Sequence, residues 1–200
     1  MVYIADLSSV PFAAEWLSFG LRRYRACNST YCVFSYDALP PLAPADETFD
    51  WLTPLSARVG SPTSAGRNAA EAREHVEALA ADAAGHGLRL PASFSRLMST
   101  PDLQDRIPSC TACEFDLGER LIACPESKGG FIVPFLHDQQ YCVVWYLYLT
   151  PSGDHCVLTY PGFLGGADIE KAMAKFRVCA PTFTDFIHRF WLENVLWVKL

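Results

Sequence analysis

The sequence predicts an α+β domain: a central antiparallel sheet of about four to six strands flanked by helices, preceded by an N-terminal extension. Three observations predict it. Residues 131–160, FIVPFLHDQQYCVVWYLYLTPSGDHCVLTY, read as three short strands joined by two tight polar turns, Asp138-Gln139-Gln140 and Pro151-Ser152-Gly153-Asp154. The segments on either side carry apolar residues at helical spacing. Hydrophobic residues make up 50% of the chain and charged residues only 19%, below the roughly 25% usual for soluble domains, so much of the chain has to be buried.

In chain order, Pro11 suits the first turn of a helix. Phe12, Trp16, Phe19 and Leu17, Leu21, Tyr24 follow at helical spacing, with Arg22, Arg23 and Arg25 toward a C-terminal end. Thr30–Tyr36 reads as a strand. The prolines at 40, 41, 44, 54 and 62 deny regular structure, yet Phe49, Trp51, Leu52 and Leu55 are too apolar for a free linker. Residues 37–60 are therefore expected to wrap the core, and 61–66 to form a loop. This divides the chain into an extension, 1–66, and a domain, 67–200.

Asn68 with Glu71 three residues on resembles a capping box, and Val76, Leu79, Ala80 and Ala83 give one apolar stripe with an Arg73–Glu77 pair beside it. Gly85 and Gly87 end that helix. Pro91 opens a second with Phe94, Leu97 and Met98 inward, stopped at Thr100-Pro101. Residues 102–118 read as irregular. Strands are expected near Arg120–Cys124, Phe131–Leu136, Tyr141–Leu149 and His155–Tyr160, consecutive and closely joined as in a meander. The strand at 141–149 is apolar on both faces and belongs inside the sheet. Trp145 is expected in the core, with Tyr146 and Tyr148 packed there too or presented on the other face to a helix or partner. Ile169, Ala172, Met173 and Phe176 suggest a short helix. Thr182 with Asp185 caps a last one bearing Phe183, Phe186, Ile187, Phe190 and Trp191 on one face, and the apolar tail Val195–Leu200 docks.

The formal charge of −6 and pI near 5.3 argue against nucleic-acid binding, which needs cationic groups to neutralise phosphates. Both suit a basic protein partner. The N-terminus lacks the charged and apolar regions of a signal peptide, and the longest apolar run is too short to cross a bilayer as a helix. A cytoplasmic protein without membrane contact is expected. Its eight cysteines are then expected to act as small hydrophobes with free thiols, and the acceptor pattern Asn28-Ser29-Thr30 to go unglycosylated.

Cys110-Thr111-Ala112-Cys113 has the spacing of a zinc or redox pair, but Cys124, His137 and Cys142 stand at no standard ligand spacing and no second such pair follows. No metal and no cofactor are expected. Cys142 and His155-Cys156 invite a cysteine-nucleophile reading. Against it, adjacent strand residues point to opposite faces, and buried thiols have raised pKa values. His137-Asp138-Gln139-Gln140 reads as a hairpin turn in which Asp138 caps backbone amides. Gly129-Gly130 and Gly165-Gly166 fit no phosphate-binding fingerprint.

Three blocks in order resemble the SUKH superfamily, which includes Smi/Knr-like cell-wall regulators, Syd-like proteins and bacterial toxin-immunity proteins. They are Gly87-Leu88-Arg89-Leu90-Pro91-Ala92-Ser93-Phe94, the hairpin FLHDQQYCVVWYLYLTPSGDHCVLTY, and Thr182-Phe183-Thr184-Asp185-Phe186-Ile187. The resemblance covers about 68–194. It departs where Ser99-Thr100-Pro101 stands in place of the family's frequent Asn-Gly pair, and 1–66 has no counterpart. It implies a non-catalytic module that binds another protein, such as a basic toxin domain, as an immunity protein or regulatory adaptor. Asp116, Glu119, Asp138, Gln139, Gln140 and Asp154 are the candidate contacts, chosen for chemistry and expected exposure. The alternatives are a cysteine-dependent enzyme, using the Cys110/Cys113 loop or Cys142, and an oligomeric module using the tail.

Overall fold

The computed structural model describes residues 10–18, 31–54, 63–150, 152–165 and 168–199. Eight strands build one mixed sheet: β1 Ala13–Ser18, β2 Cys32–Ser35, β3 Glu114–Phe115, β4 Ile122–Ala123, β5 Phe131–His137, β6 Val143–Leu149, β7 His155–Pro161 and β8 Arg177–Ala180. Their order is β2-β1-β8-β7-β6-β5-β3, with β4 also on β5. All the pairings are antiparallel except β1 with β8. The helices are α1 Ala69–Gly85, α2 Ala92–Met98, α3 Pro101–Gln104, α4 Ile169–Met173 and α5 Phe183–Lys199. No helix among the described residues is long and apolar enough to cross a membrane.

The fold is α+β, with a larger sheet than expected. Two strands were not anticipated at all. β3 and β8 are short, and their pairing is set by neighbours far away in sequence. A third replaces the helix expected from Pro11: Ala13–Ser18 is a strand. The spacing of Phe12 and Trp16 fits a period of two as well as 3.6, and over so few residues periodicity cannot arbitrate. The open edge of β8 decides, by pairing Ala13 with Arg177 and Ala14 with Val178. The rest of that expected helix, and the Asn28 acceptor, lie outside the described residues. Leu55 and residues 56–62 do as well.

The sheet separates two cores. On one face α1, α2 and α5 cover Val133, Phe135, Trp145, Leu147 and Val157. Phe94, Phe135 and Phe183 meet edge to face, with ring centroids 5.0–5.7 Å apart, a geometry worth about 0.5–1.5 kcal/mol per pair beyond burial. Phe49 and Leu52, from the proline-rich stretch, are fully buried in the same core, as is Trp16. On the other face Val10, Phe12, α4 and Phe176 cover Ile132, Val144, Tyr146, Tyr148 and Leu158. β6 is buried along its whole length, with Trp145 toward the first core and Tyr146 and Tyr148 toward the second.

The caps follow the residue chemistry. Asn68 Oδ1 accepts from the amides of Ala70 and Glu71, and Thr182 Oγ1 from Asp185. Turn 63–66 is docked: Thr63 and Ser64 are buried, and the Thr63 carbonyl accepts from Phe115 N at 2.7 Å. Gly130 has φ +69°, and a Cβ there would lie 2.4 Å from the Leu149 carbonyl. The glycine pair before β5 is thus a close backbone approach.

Candidate functional site

A bulge in β5 creates the site. Pro134 has no amide hydrogen for the ladder, and the β5–β6 register slips between Pro134 and Leu136. Phe135 and Leu136 both turn toward the first core. The next residue, His137, is thereby aimed at the opposite face. There it lines a cavity of about 490 Å³, within the range of roughly 300–1,000 Å³ typical of ligand clefts. The connection between β3 and β4 contributes Asp116, Leu117 and Gly118, and the turn before β6 contributes Tyr141. Val144 and Tyr146 come from β6, the loop after β7 gives Phe163, Leu164 and Gly165, and α4 gives Ile169. Gly162, at φ +97°, donates its amide to the Cys142 carbonyl and brings that loop against the β5–β6 turn.

The polar end of the cavity is an ordered row. His137 Nδ1 lies 2.9 Å from the carbonyl of Asp138. A carbonyl only accepts, so the proton sits on Nδ1 and Nε2 faces Asp116 Oδ2 at 3.8 Å. The other carboxylate oxygen of Asp116 binds Arg67. Tyr141 stacks on the His137 ring, centroids 4.1 Å apart and planes 15° from parallel. Phe163 meets Tyr141 at 5.3 Å and 74°. Both aromatics are exposed at the rim, Tyr141 at 39% and Phe163 at 67%. Tyr141 holds φ +54° to do so, a region that costs a bulky residue about 1–3 kcal/mol and is most often retained at functional positions. Burial raises the pKa of the Tyr146 phenol well above its usual value. Among the described residues the lining carries no Ser, Thr, Cys or Lys. The arrangement offers an apolar floor, two exposed rings, one imidazole and one carboxylate.

The candidate contacts scatter around this row. Asp116 lines the cavity and Glu119 is exposed on the same connection. Gln139 and Gln140 are exposed at the tip of the β5–β6 turn. Asp138 is 3% exposed, and its Oδ1 accepts from Cys142 N at 2.6 Å and Val143 N at 3.4 Å, so its carboxylate is spent on the turn, as its capping role anticipates. Asp154 sits at the opposite end of β6, within the β6–β7 turn, where its amide donates to Thr150 Oγ1. Seven strand residues at roughly 3.3 Å each put that turn about 20 Å from Gln139 and Gln140. Tyr141 and Phe163 were not singled out by sequence as site residues, Tyr146 was expected in the core or facing a helix or partner, and Gly165 stood only as half of a glycine pair. Phe163, an aromatic among glycines in Pro161-Gly162-Phe163-Leu164-Gly165-Gly166, was the available sign.

None of the described cysteines lines the cavity. Cys113 is buried, with Sγ 3.2 Å from Thr111 Oγ1 and 3.9 Å from the Tyr31 hydroxyl, and burial pushes its pKa up to about 11. The Cys110 amide donates to Asn194 Oδ1. Burial likewise raises Cys156 and Cys179, and raised thiols are poor nucleophiles. Cys142 precedes β6 and is exposed, whereas His155 is buried at the other end of the hairpin and accepts from Phe183 N at 3.4 Å. Among the described residues no three His, Cys, Asp or Glu side chains are grouped to hold a metal ion.

Compared with family models, curated proteins and solved structures, the chain matches none.

Proposed function

We propose that the protein is a SUKH-like, non-catalytic module that binds a protein partner over the cavity between the β5–β6 turn and the 162–165 loop, as an immunity protein or a regulatory adaptor. The observation that carries the reading is the pair of exposed rings, Tyr141 and Phe163, at the rim of a largely apolar cavity. Exposed aromatics beside an apolar recess are the usual anchors of protein interfaces. The acidic chain favours a basic partner, because opposite charge speeds encounter. The resemblance speaks for the fold more than for the site, since Phe94, Phe135, Phe183 and Phe186 from its three blocks all lie in the first core.

Site-specific photo-crosslinking in the source cell tests it. Phe163 replaced by p-benzoylphenylalanine should cross-link to one polypeptide. The same replacement at Ala84, exposed on α1 across the sheet, should not. Equal cross-linking at the two positions, or none at 163, contradicts the proposal.

A further inference from the structure

Asp116, His137, Tyr141 and Phe163 form a continuous row, with successive separations of 3.8, 4.1 and 5.3 Å. Tyr141 has one face covered by His137 and the other side turned toward Phe163 at 74°, an orthogonal corner of two exposed rings. Ring faces are electronegative, and such a corner attracts a cation. Asp116 stands at the far end of the row as the one carboxylate among the described lining residues, which include no Lys or Arg. Arg67 takes Oδ1, and among the described residues Oδ2 has only the 3.8 Å approach of His137, whose Nε2 carries no proton to give, so it keeps acceptor capacity. Glu114 is the register partner of His137 across β3–β5, and directly opposed residues share a face, which adds a second negative group beside the row. The floor beneath, formed by Leu117, Leu164 and Ile169, suits a methylene stem.

We infer that this cavity receives an arginine side chain of the protein partner, its stem on the apolar floor, its guanidinium against Tyr141 and Phe163, and its charge facing Asp116. The inference rests on the reading of this face as a protein-binding surface. Arginine fits better than a compact ammonium because its planar, weakly hydrated head stacks on rings. Gly165 leaves room for Phe163 in this position: a Cβ there would lie 2.0 Å from the Phe163 ring. Adding that methyl group displaces one wall of the corner without removing any recognition chemistry.

The test is an NMR titration of the full chain with N-acetyl-arginine amide and with its neutral isostere N-acetyl-citrulline amide, each to 100 mM, read at the amides of Tyr141 and Gly165. The arginine probe should produce saturable shifts that citrulline produces at least tenfold more weakly. Asp116→Asn, Phe163→Ala and Gly165→Ala should each weaken the arginine response at least threefold with folded spectra retained. Equal responses to the two probes, or no response to arginine at 100 mM, overturn the inference. If the cross-link at 163 forms while the arginine probe gives no response, protein binding at this face stands and the arginine assignment falls. If the probe binds and no cross-link forms, the cavity's affinity for an arginine side chain stands, while the protein-binding reading, and with it a partner's arginine, falls.

Discussion

His155 makes the stability of this fold depend on acid. Its side chain is 5% exposed and its Nε2 accepts a hydrogen bond from the first amide of α5, so the folded protein holds it neutral. Burial pulls its pKa down from 6.5 to about 4, against a smaller opposing effect of the Asp154 carboxylate. The unfolded chain takes up the proton near pH 6.5, and the folded one only near pH 4. Between those values the unfolded state binds more protons, so stability falls as pH falls. The stability is complete above pH 6.5, drops by about 2 kcal/mol by pH 5 and by about 3 kcal/mol by pH 4, and levels off below. That is a large fraction of the 5–15 kcal/mol expected of a domain. Urea unfolding followed by tryptophan fluorescence at pH 7, 6, 5 and 4 measures it, with His155→Gln as the reference, since glutamine keeps an acceptor without a proton to gain. The wild-type curve should fall toward the variant's by about 3 kcal/mol over that range. Curves that stay parallel from pH 7 to 4 refute the reasoning.

Three further outcomes are expected. Gly130→Ala should cost at least about 2 kcal/mol, because φ is +69° and the new Cβ meets a carbonyl that cannot yield. Gly153→Ala, at φ +88° with nothing within 4 Å, should cost about 1 kcal/mol; equal costs in thermal unfolding would contradict the contact argument. Tyr141→Asn should leave stability within about 1 kcal/mol, since asparagine tolerates positive φ, while the arginine probe loses its shifts; retained shifts would remove Tyr141 from the site. In native protein a thiol reagent should label exposed Cys32 rapidly and Cys113, Cys156 and Cys179 slowly, as read by peptide mass spectrometry. Labelling of Cys110, Cys113 or Cys142 markedly faster than that of Cys32 would favour the cysteine-dependent alternative.

Much of the fold was legible because local chemistry and tertiary packing agreed. The two hairpin turns, the helix α2 opened by Pro91, the Thr182 cap and the fully buried strand at 143–149 all carry signals within a few residues. What was not legible depends on partners distant in sequence. β1 looks helical by spacing and is a strand because β8 offers an edge, and β3 and β8 are too short to announce themselves. The cavity was hidden for a related reason. His137 faces it only because the bulge at Pro134 lets two consecutive residues point the same way, which simple alternation along a strand does not foresee. Asp116 was picked out for its charge, and the rings it shares a row with come from segments 25 and 47 residues away.

The central claim is that a protein partner is held by the corner of Tyr141 and Phe163. The dissociation constant of the partner identified by cross-linking at 163, measured against wild type and Phe163→Ala, tests it most directly. Phe163 is 67% exposed, so its truncation should leave thermal unfolding nearly unchanged. It should raise the dissociation constant at least about tenfold, equivalent to about 1.4 kcal/mol. A constant within twofold of wild type would contradict the account.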